Sequence, residues 1–169
     1  MLRSIPQLGL KPAIVCGLVC LPMELQGVPF SVSTRGLELK ADSLVAAAGD
    51  TTLSLNSRAK LIKEATRIDL RGRSRFALAK LYMDEGSRYD QLIDAELWLR
   101  QAIARDPSNP LFKATYAELL WQLDDFQLCN LQAQEALELE PDNVLALYYA
   151  GRYAALQMDR NFRTISIVH

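Results

Sequence analysis

Ala-Ile-Ala-Arg-Asp-Pro, residues 102–107, returns as Ala-Leu-Glu-Leu-Glu-Pro at residues 136–141. The prolines that close the two phrases, Pro107 and Pro141, lie 34 residues apart, and a small residue follows ten positions after each, first Ala117 and then Gly151. Proline lacks an amide donor and disfavours helical geometry in the residue before it, so each phrase ends a helix. Self-similarity at a fixed period of this size is typical of stacked helix-turn-helix repeats.

Small side chains recur where the two helices of each hairpin would cross. They are Ala95, Ala102, Ala117, Ala136 and Gly151. A larger side chain at such a crossing would push the two backbones apart. The pattern therefore predicts closely packed helix pairs, with residues 124–126 as the turn between the apolar-periodic segments 111–123 and 128–139.

In its alanine-to-proline phrase, its 34-residue period and the turn at residues 124–126, this stretch resembles the tetratricopeptide repeat (TPR) family. The resemblance implies an all-α, right-handed solenoid of helical hairpins, with about seven helices in this chain. It also implies that the first helix of each repeat lines a concave groove for a partner peptide or helix. Carried over position by position, the groove residues are Lys80, Ala114, Glu118, Trp121, Tyr148, Arg152 and Leu156.

Some TPR proteins hold the tail of a chaperone through a clamp that Lys, Arg and Asn form on successive first helices. The corresponding positions here hold Ala114, Glu118, Leu145 and Tyr149. None of these side chains is positively charged, and one is acidic. The sequence therefore disfavours this clamp.

The chain divides into four parts. An apolar signal-like or membrane-anchor segment covers residues 1–30, and a linker with a degenerate helical hairpin covers residues 31–71. Residues 72–163 carry the TPR-like repeats, at 72–109, 110–143 and, incompletely, 144–163. The tail at residues 164–169 alternates apolar and polar residues in a strand-like way. A solenoid ordinarily ends in a polar capping helix, and none follows the last repeat, so we expect either a fragment or self-association through the uncapped C-terminal end.

Two helix starts are assigned from side chains that can accept hydrogen bonds from free backbone amides. Asn56 or Ser57 is expected to cap the helix after the polar turn at residues 51–57. Asp90 is expected to cap the helix at residues 91–105. Both assignments use the preference of Asn, Ser and Asp for the residue just before a helix.

The apolar run at residues 12–23 is 12 residues long and follows a segment with Arg3 and Lys11 and no acidic residue. A membrane-spanning helix needs about 20 apolar residues, whereas the core of a signal peptide needs about 7 to 15. The length fits the second, although no small-x-small cleavage site is evident around residues 25–27. An export signal, a membrane anchor and an apolar segment folded onto the repeats all stay open.

Composition excludes several classes of function. The net charge of -1 gives no attraction to nucleic acid, and no cluster of Lys and Arg alternates with aromatics. The arginines at 71, 73 and 75 are interpreted as a solvated face, with an anionic partner site as the alternative. The only histidine is the terminal His169 and no paired CxxC spacing exists, so no metal is predicted. No cofactor motif and no nucleophile beside a base are found.

These observations predict a protein-protein interaction scaffold, not an enzyme, that binds a protein or peptide partner. We expect it to be membrane-associated or exported, in the manner of a bacterial envelope protein. Two alternatives stay open. One is a soluble, cytoplasmic TPR adaptor. The other is the C-terminal part of a larger membrane enzyme, such as a polysaccharide polymerase or ligase, in which residues 12–30 would end the last membrane helix.

Overall fold

The computed structural model describes residues 34–85 and 88–167, with side chains described as far as residue 160. This part of the chain contains seven α-helices and no strand. The helices are α1 (Thr34–Ala47), α2 (Leu55–Thr66), α3 (Arg73–Glu85), α4 (Tyr89–Arg105), α5 (Pro110–Gln122), α6 (Phe126–Leu139) and α7 (Val144–Ile167). The all-α prediction and the expected number of helices are confirmed. The predicted signal or anchor segment, residues 1–30, lies outside the described residues.

Successive helices pack as hairpins, in the pairs α1 with α2, α3 with α4, and α5 with α6. Each hairpin also contacts the next one, and α7 packs against both α5 and α6. Contacts therefore run mainly between neighbours along the chain, which is the defining property of a solenoid.

The small residues at the helix crossings form the centre of the core. Ala95, Ala102, Ala117 and Ala136 are fully buried, as predicted. Gly151 is the exception, because it is exposed and no neighbouring atom lies within 4 Å of the place a Cβ would take. The prediction of a close crossing at Gly151 is therefore wrong: within the described residues, no second helix packs on this side of α7.

The loops that contain the two prolines share one hydrogen-bond arrangement. Asn109 and Asn143 each accept a bond from a backbone N–H in the first turn of the next helix, at 3.2 and 3.0 Å. Their amide groups donate in turn to the acid three residues earlier, Asp106 at 3.3 Å and Glu140 at 2.6 Å. The two repeats therefore match in their turn chemistry as well as in their helices.

Both helix caps predicted from the sequence are wrong. Ser54 caps α2 by accepting a bond from the N–H of Ser57 at 3.3 Å, so Asn56 and Ser57 lie inside the helix. The residue before α4 is Arg88, which makes no capping bond. Asp90 lies in the first turn of α4, where its carboxylate pairs with Arg88 at 3.1 Å. Both helices therefore begin earlier than the predicted caps implied.

The loop between α2 and α3 is organised by the buried carboxylate of Asp69. It accepts bonds from the N–H groups of Arg71 and Ser74, at 3.0 and 2.8 Å. The Arg75 guanidinium donates to the Asp69 carbonyl at 3.3 Å, and its side chain is only 13% exposed. The interpretation of all three arginines as a solvated face is therefore wrong for Arg75, although Arg71 and Arg73 are exposed.

Helix α7 is longer than predicted and continues to Ile167. The strand-like interpretation of the tail is therefore wrong for residues 164–167, while residues 168 and 169 lie outside the described part. No proline or glycine occurs from residue 152 to residue 167, so nothing in the backbone ends the helix earlier. No helix in the described part of the chain combines the length and the apolar content that a bilayer span requires.

Candidate functional site

Helices α3 and α5, each the first helix of a hairpin, and α7, which follows them in the repeat, present a shared row of polar and aromatic side chains. The repeat places Lys80 on α3, Glu118 on α5 and Arg152 on α7 at corresponding positions. We call the surface formed by these three residues together with Trp121 and Tyr148 the odd-helix face. All five were predicted as groove residues.

A charge pair joins α3 to α5 on the odd-helix face. The Lys80 ammonium lies 4.0 Å from the Glu118 carboxylate and 3.2 Å from that of Asp84, one turn further along α3. The Lys80 side chain is 38% exposed, so these ion pairs contribute little to stability. The ammonium therefore stays accessible to another molecule.

An aromatic cluster with one arginine joins α5 to α7. The Trp121 ring lies 4.7 Å from the Phe126 ring and 6.1 Å from the Tyr149 ring, centroid to centroid. Tyr148 meets Tyr149 edge-on at 5.0 Å. The Arg152 guanidinium carbon lies 4.0 Å from the Trp121 centroid, 5.5 Å from Tyr148 and 6.0 Å from Tyr149. Stacking of this kind attracts the guanidinium to the negative faces of the rings.

The surroundings of the buried Tyr149 phenol raise its pKa. Burial is the main cause that raises its pKa to about 12, and the nearby Glu118 carboxylate adds to the shift while Arg152 opposes it. The buried Cys129 behaves similarly, because burial raises the pKa of its thiol to about 11. At neutral pH, neither group is ionised, so neither supplies an anionic nucleophile at this site.

The remaining predicted groove residues take different places. Ala114 is fully buried beneath the face. Leu156 lies one turn after Arg152 on α7 and is half-buried. The structure thus brings Lys80 beside Glu118, and it gathers Trp121, Tyr148 and Arg152 into a second group.

Two members of the aromatic cluster, Phe126 and Tyr149, were not predicted as site residues. Phe126 is the first residue of α6, and Tyr149 is a buried core residue of α7. The signal that could have found them is the run of aromatics itself, since Phe126 follows the predicted turn and Tyr149 follows Tyr148. Phe126 contacts the Trp121 ring, and Tyr149 contacts the rings of Trp121 and Tyr148. The contacts with Trp121 depend on packing between helices.

A depression of about 280 Å³ lies where α1 and α2 meet α3. Val45, Ile62 and Leu81 supply its apolar wall, and Lys80 lies on its rim. Arg58 also lines it and pairs with Glu85. Lys80 therefore belongs both to the odd-helix face and to the lining of this depression, which the sequence did not predict.

Within the described residues, no group of three or more His, Cys, Asp and Glu side chains is placed to hold a metal ion. In the same part of the chain, every buried side-chain nitrogen and oxygen has a hydrogen-bond partner. The side chains that converge here suit contacts with another molecule through charge, stacking and hydrogen bonds.

Helical hairpins stacked in sequence, with a mixed aromatic and charged surface on their first helices, define a TPR-like solenoid. A scan against protein-family models finds no match, and neither does a sequence search of curated proteins. Solved structures do match. The first TPR of Spaghetti (RPAP3) bound to the HSP90 peptide SRMEEVD has a TM-score of 0.62 and 15% identity, covering 72% of this chain and 95% of that one.

Two further solved structures give the same result. The Yersinia enterocolitica type III secretion chaperone SycD, in complex with a peptide of the translocator YopD, has a TM-score of 0.53 and 15% identity, over 77% of this chain and 93% of that one. PcrH, in complex with the chaperone-binding region of PopB, has a TM-score of 0.51 and 17% identity, over 78% and 98%. At these identities the likeness shows the fold, and the predicted TPR-like architecture is confirmed.

Proposed function

We propose that this chain is a non-enzymatic protein-interaction scaffold that holds an extended peptide or a helix of a partner protein across the odd-helix face. The observation that carries the proposal is the Arg152 guanidinium stacked over Trp121 at 4.0 Å, beside the Tyr148 ring, which is 55% exposed. Tryptophan, tyrosine and arginine are the side chains most often found at binding hot spots. Three of the similar structures hold peptides or a partner segment, which supports the same use here.

The charges on the face indicate the chemistry of the partner segment. Lys80 and Glu118 compensate each other at 4.0 Å, whereas no carboxylate of the described residues lies within ion-pair distance of Arg152. A guanidinium held over aromatic rings has already lost part of its water, so a carboxylate that reaches it forms a stronger contact. We infer a partner segment with a carboxylate opposite Arg152 and an apolar side chain against Tyr148.

Substituting Arg152 or Trp121 with alanine is expected to weaken binding of a peptide selected on the wild-type chain from a displayed random library. Each loss should be at least about 10-fold in Kd, as is usual for truncating a hot-spot residue. Titration calorimetry with the selected peptide measures it. Leu97→Ala is the matched control, because Leu97 is exposed on α4, away from the face, and its Kd should not change.

Thermal denaturation of the same variants separates loss of binding from loss of fold. Arg152 is exposed, so Arg152→Ala should melt close to the wild type. Selected peptides that bind Trp121→Ala and Arg152→Ala as tightly as the wild-type chain would show that partners use another surface.

Attachment to a membrane, or export, through residues 1–30 stays a proposal from the sequence. Deletion of residues 1–27 should move the protein from the membrane or exported fraction to the soluble one, with ellipticity per helical residue unchanged, because α1 begins only at Thr34. Cell fractionation and circular dichroism measure the two quantities. Loss of helicity on deletion would instead place the apolar run in the core.

Self-association through the C-terminal end is the second interaction that we propose.

A further inference from the structure

Helix α7 carries an apolar stripe that no other described element covers. It consists of Leu147, Gly151, Ala154 and Met158, whose spacings of four, three and four residues place them on one face of the helix. Leu147 is 49% exposed and Met158 is 65% exposed. Gly151 and Ala154 are exposed as well. We call these four residues the outer stripe.

The corresponding residues of the preceding repeat are covered by another helix. Thirty-four residues before Gly151 and Ala154 stand Ala117 and Leu120 on α5. Both are buried in the core that α5 shares with α6. The middle of the outer stripe, Gly151 and Ala154, therefore corresponds to residues of α5 that pack in the core shared with α6. Its small residues suit close contact between helix axes.

The order of large and small side chains in the outer stripe is symmetric. If a second α7 lies antiparallel to the first, with a two-fold axis between residues 152 and 153, Leu147 lies opposite Met158 of the second copy. In the same register Gly151 lies opposite Ala154 of the second copy. The small pair then lies at the centre of the contact, where the helices approach most closely, and the large pairs flank it on both sides. A patch that matches itself in this way is what a two-fold interface requires.

We propose that a second copy of this chain docks on the outer stripe, so that two α7 helices pair antiparallel and form a homodimer. The odd-helix face lies on a neighbouring side of α7, where Arg152 is held over Trp121. The dimer therefore does not depend on peptide binding, and failure of either proposal leaves the other standing. A single helix pair buries less than the 1,200 Å² or so of a standard interface, so the dimer should be weak and depend on concentration.

Sedimentation equilibrium of the full chain over a wide concentration range tests the dimer. The wild-type chain should shift from monomer to dimer, and Ala154→Glu should raise the dissociation constant at least about 50-fold, since it buries a charge on each side of the contact. Leu97→Glu adds the same charge at an exposed leucine of α4 and should dimerise like the wild type. A chain that stays monomeric at every concentration overturns the proposal. The outer stripe would then be left for a helix of another protein. An Ala154→Glu variant that dimerises normally, for example through the N-terminal apolar run, also overturns the proposal.

Cysteine cross-linking tests the register. In a chain with Cys16→Ser and Cys20→Ser, the fully buried Cys129 is the remaining native thiol. Under a mild oxidant, a mixture of Gly151→Cys chains and Ala154→Cys chains should form more disulfide-linked dimer than either chain alone, because the proposed register places these two positions opposite each other. If each variant alone formed more disulfide-linked dimer than the mixture, the two helices would be parallel. That result would overturn the antiparallel arrangement.

Discussion

Ala117→Leu is expected to lower the free energy of unfolding by about 3 kcal/mol, near the upper end for overpacking a tight core. Ala117 is fully buried on α5, at the crossing with α6. The larger side chain has no space there unless the hairpin opens, and the hairpin holds two buried alanines of α6, Ala133 and Ala136. Urea denaturation followed by circular dichroism measures the change.

Gly151→Leu is the matched control, because Gly151 occupies the same repeat position on α7. No neighbouring atom lies within 4 Å of the place its Cβ would take. Leucine favours a helix more than glycine does, so this variant should be as stable as the wild type or more stable, by up to about 1 kcal/mol. The measurement belongs at a protein concentration where the chain is monomeric. An equal loss of stability in both variants would mean that a helix covers α7 as α6 covers α5.

Gly72→Ala is expected to destabilise the chain by about 2 to 4 kcal/mol, from backbone strain and overpacking together. Gly72 has a φ of +80°, a conformation that residues with a Cβ rarely adopt. A Cβ on this residue would also lie 2.8 Å from the backbone oxygen of Ala102 on α4. The loop that Asp69 organises therefore fits against α4 only with glycine at this position.

Gly36→Ala separates this local effect from any general effect of replacing glycine. Gly36 lies in the first turn of α1 with no neighbouring atom within 4 Å of an added Cβ, so alanine there should be neutral or slightly stabilising. Thermal denaturation of both variants gives the comparison. If Gly72→Ala melts with the wild type, the loop between α2 and α3 does not pack on Ala102 in solution.

Local chemistry explains why the helical hairpins could be predicted from the sequence. Pro107 and Pro141 stop helices because of their own geometry, and two backbones can approach closely at Ala117 because its side chain is small. These constraints act within one repeat, so they are visible in the order of residues. The helix starts were less predictable, because several residues near each start can accept a bond, as Ser54 and Ser57 illustrate.

The binding face was predictable only in part. Periodicity and the family resemblance selected the side of each first helix that carries Lys80, Glu118 and Trp121. They did not predict that Ala114 lies under the face or that Tyr149 supports it from the core. Both facts depend on how closely neighbouring helices pack, and the sequence of one helix does not specify that distance.

The order of residues specifies the repeat: its period, its helix pairs and the side chains available on each first helix. Packing between helices and loops determines which of those side chains meet. Arg152 lies over Trp121, and Arg75 donates to the carbonyl of Asp69. Packing also leaves Gly151 without a neighbour within 4 Å of an added Cβ, whereas Ala117 at the same repeat position is fully buried. The physical reason is that a repeat specifies an apolar surface locally, whereas the burial of that surface depends on whether another element packs against it.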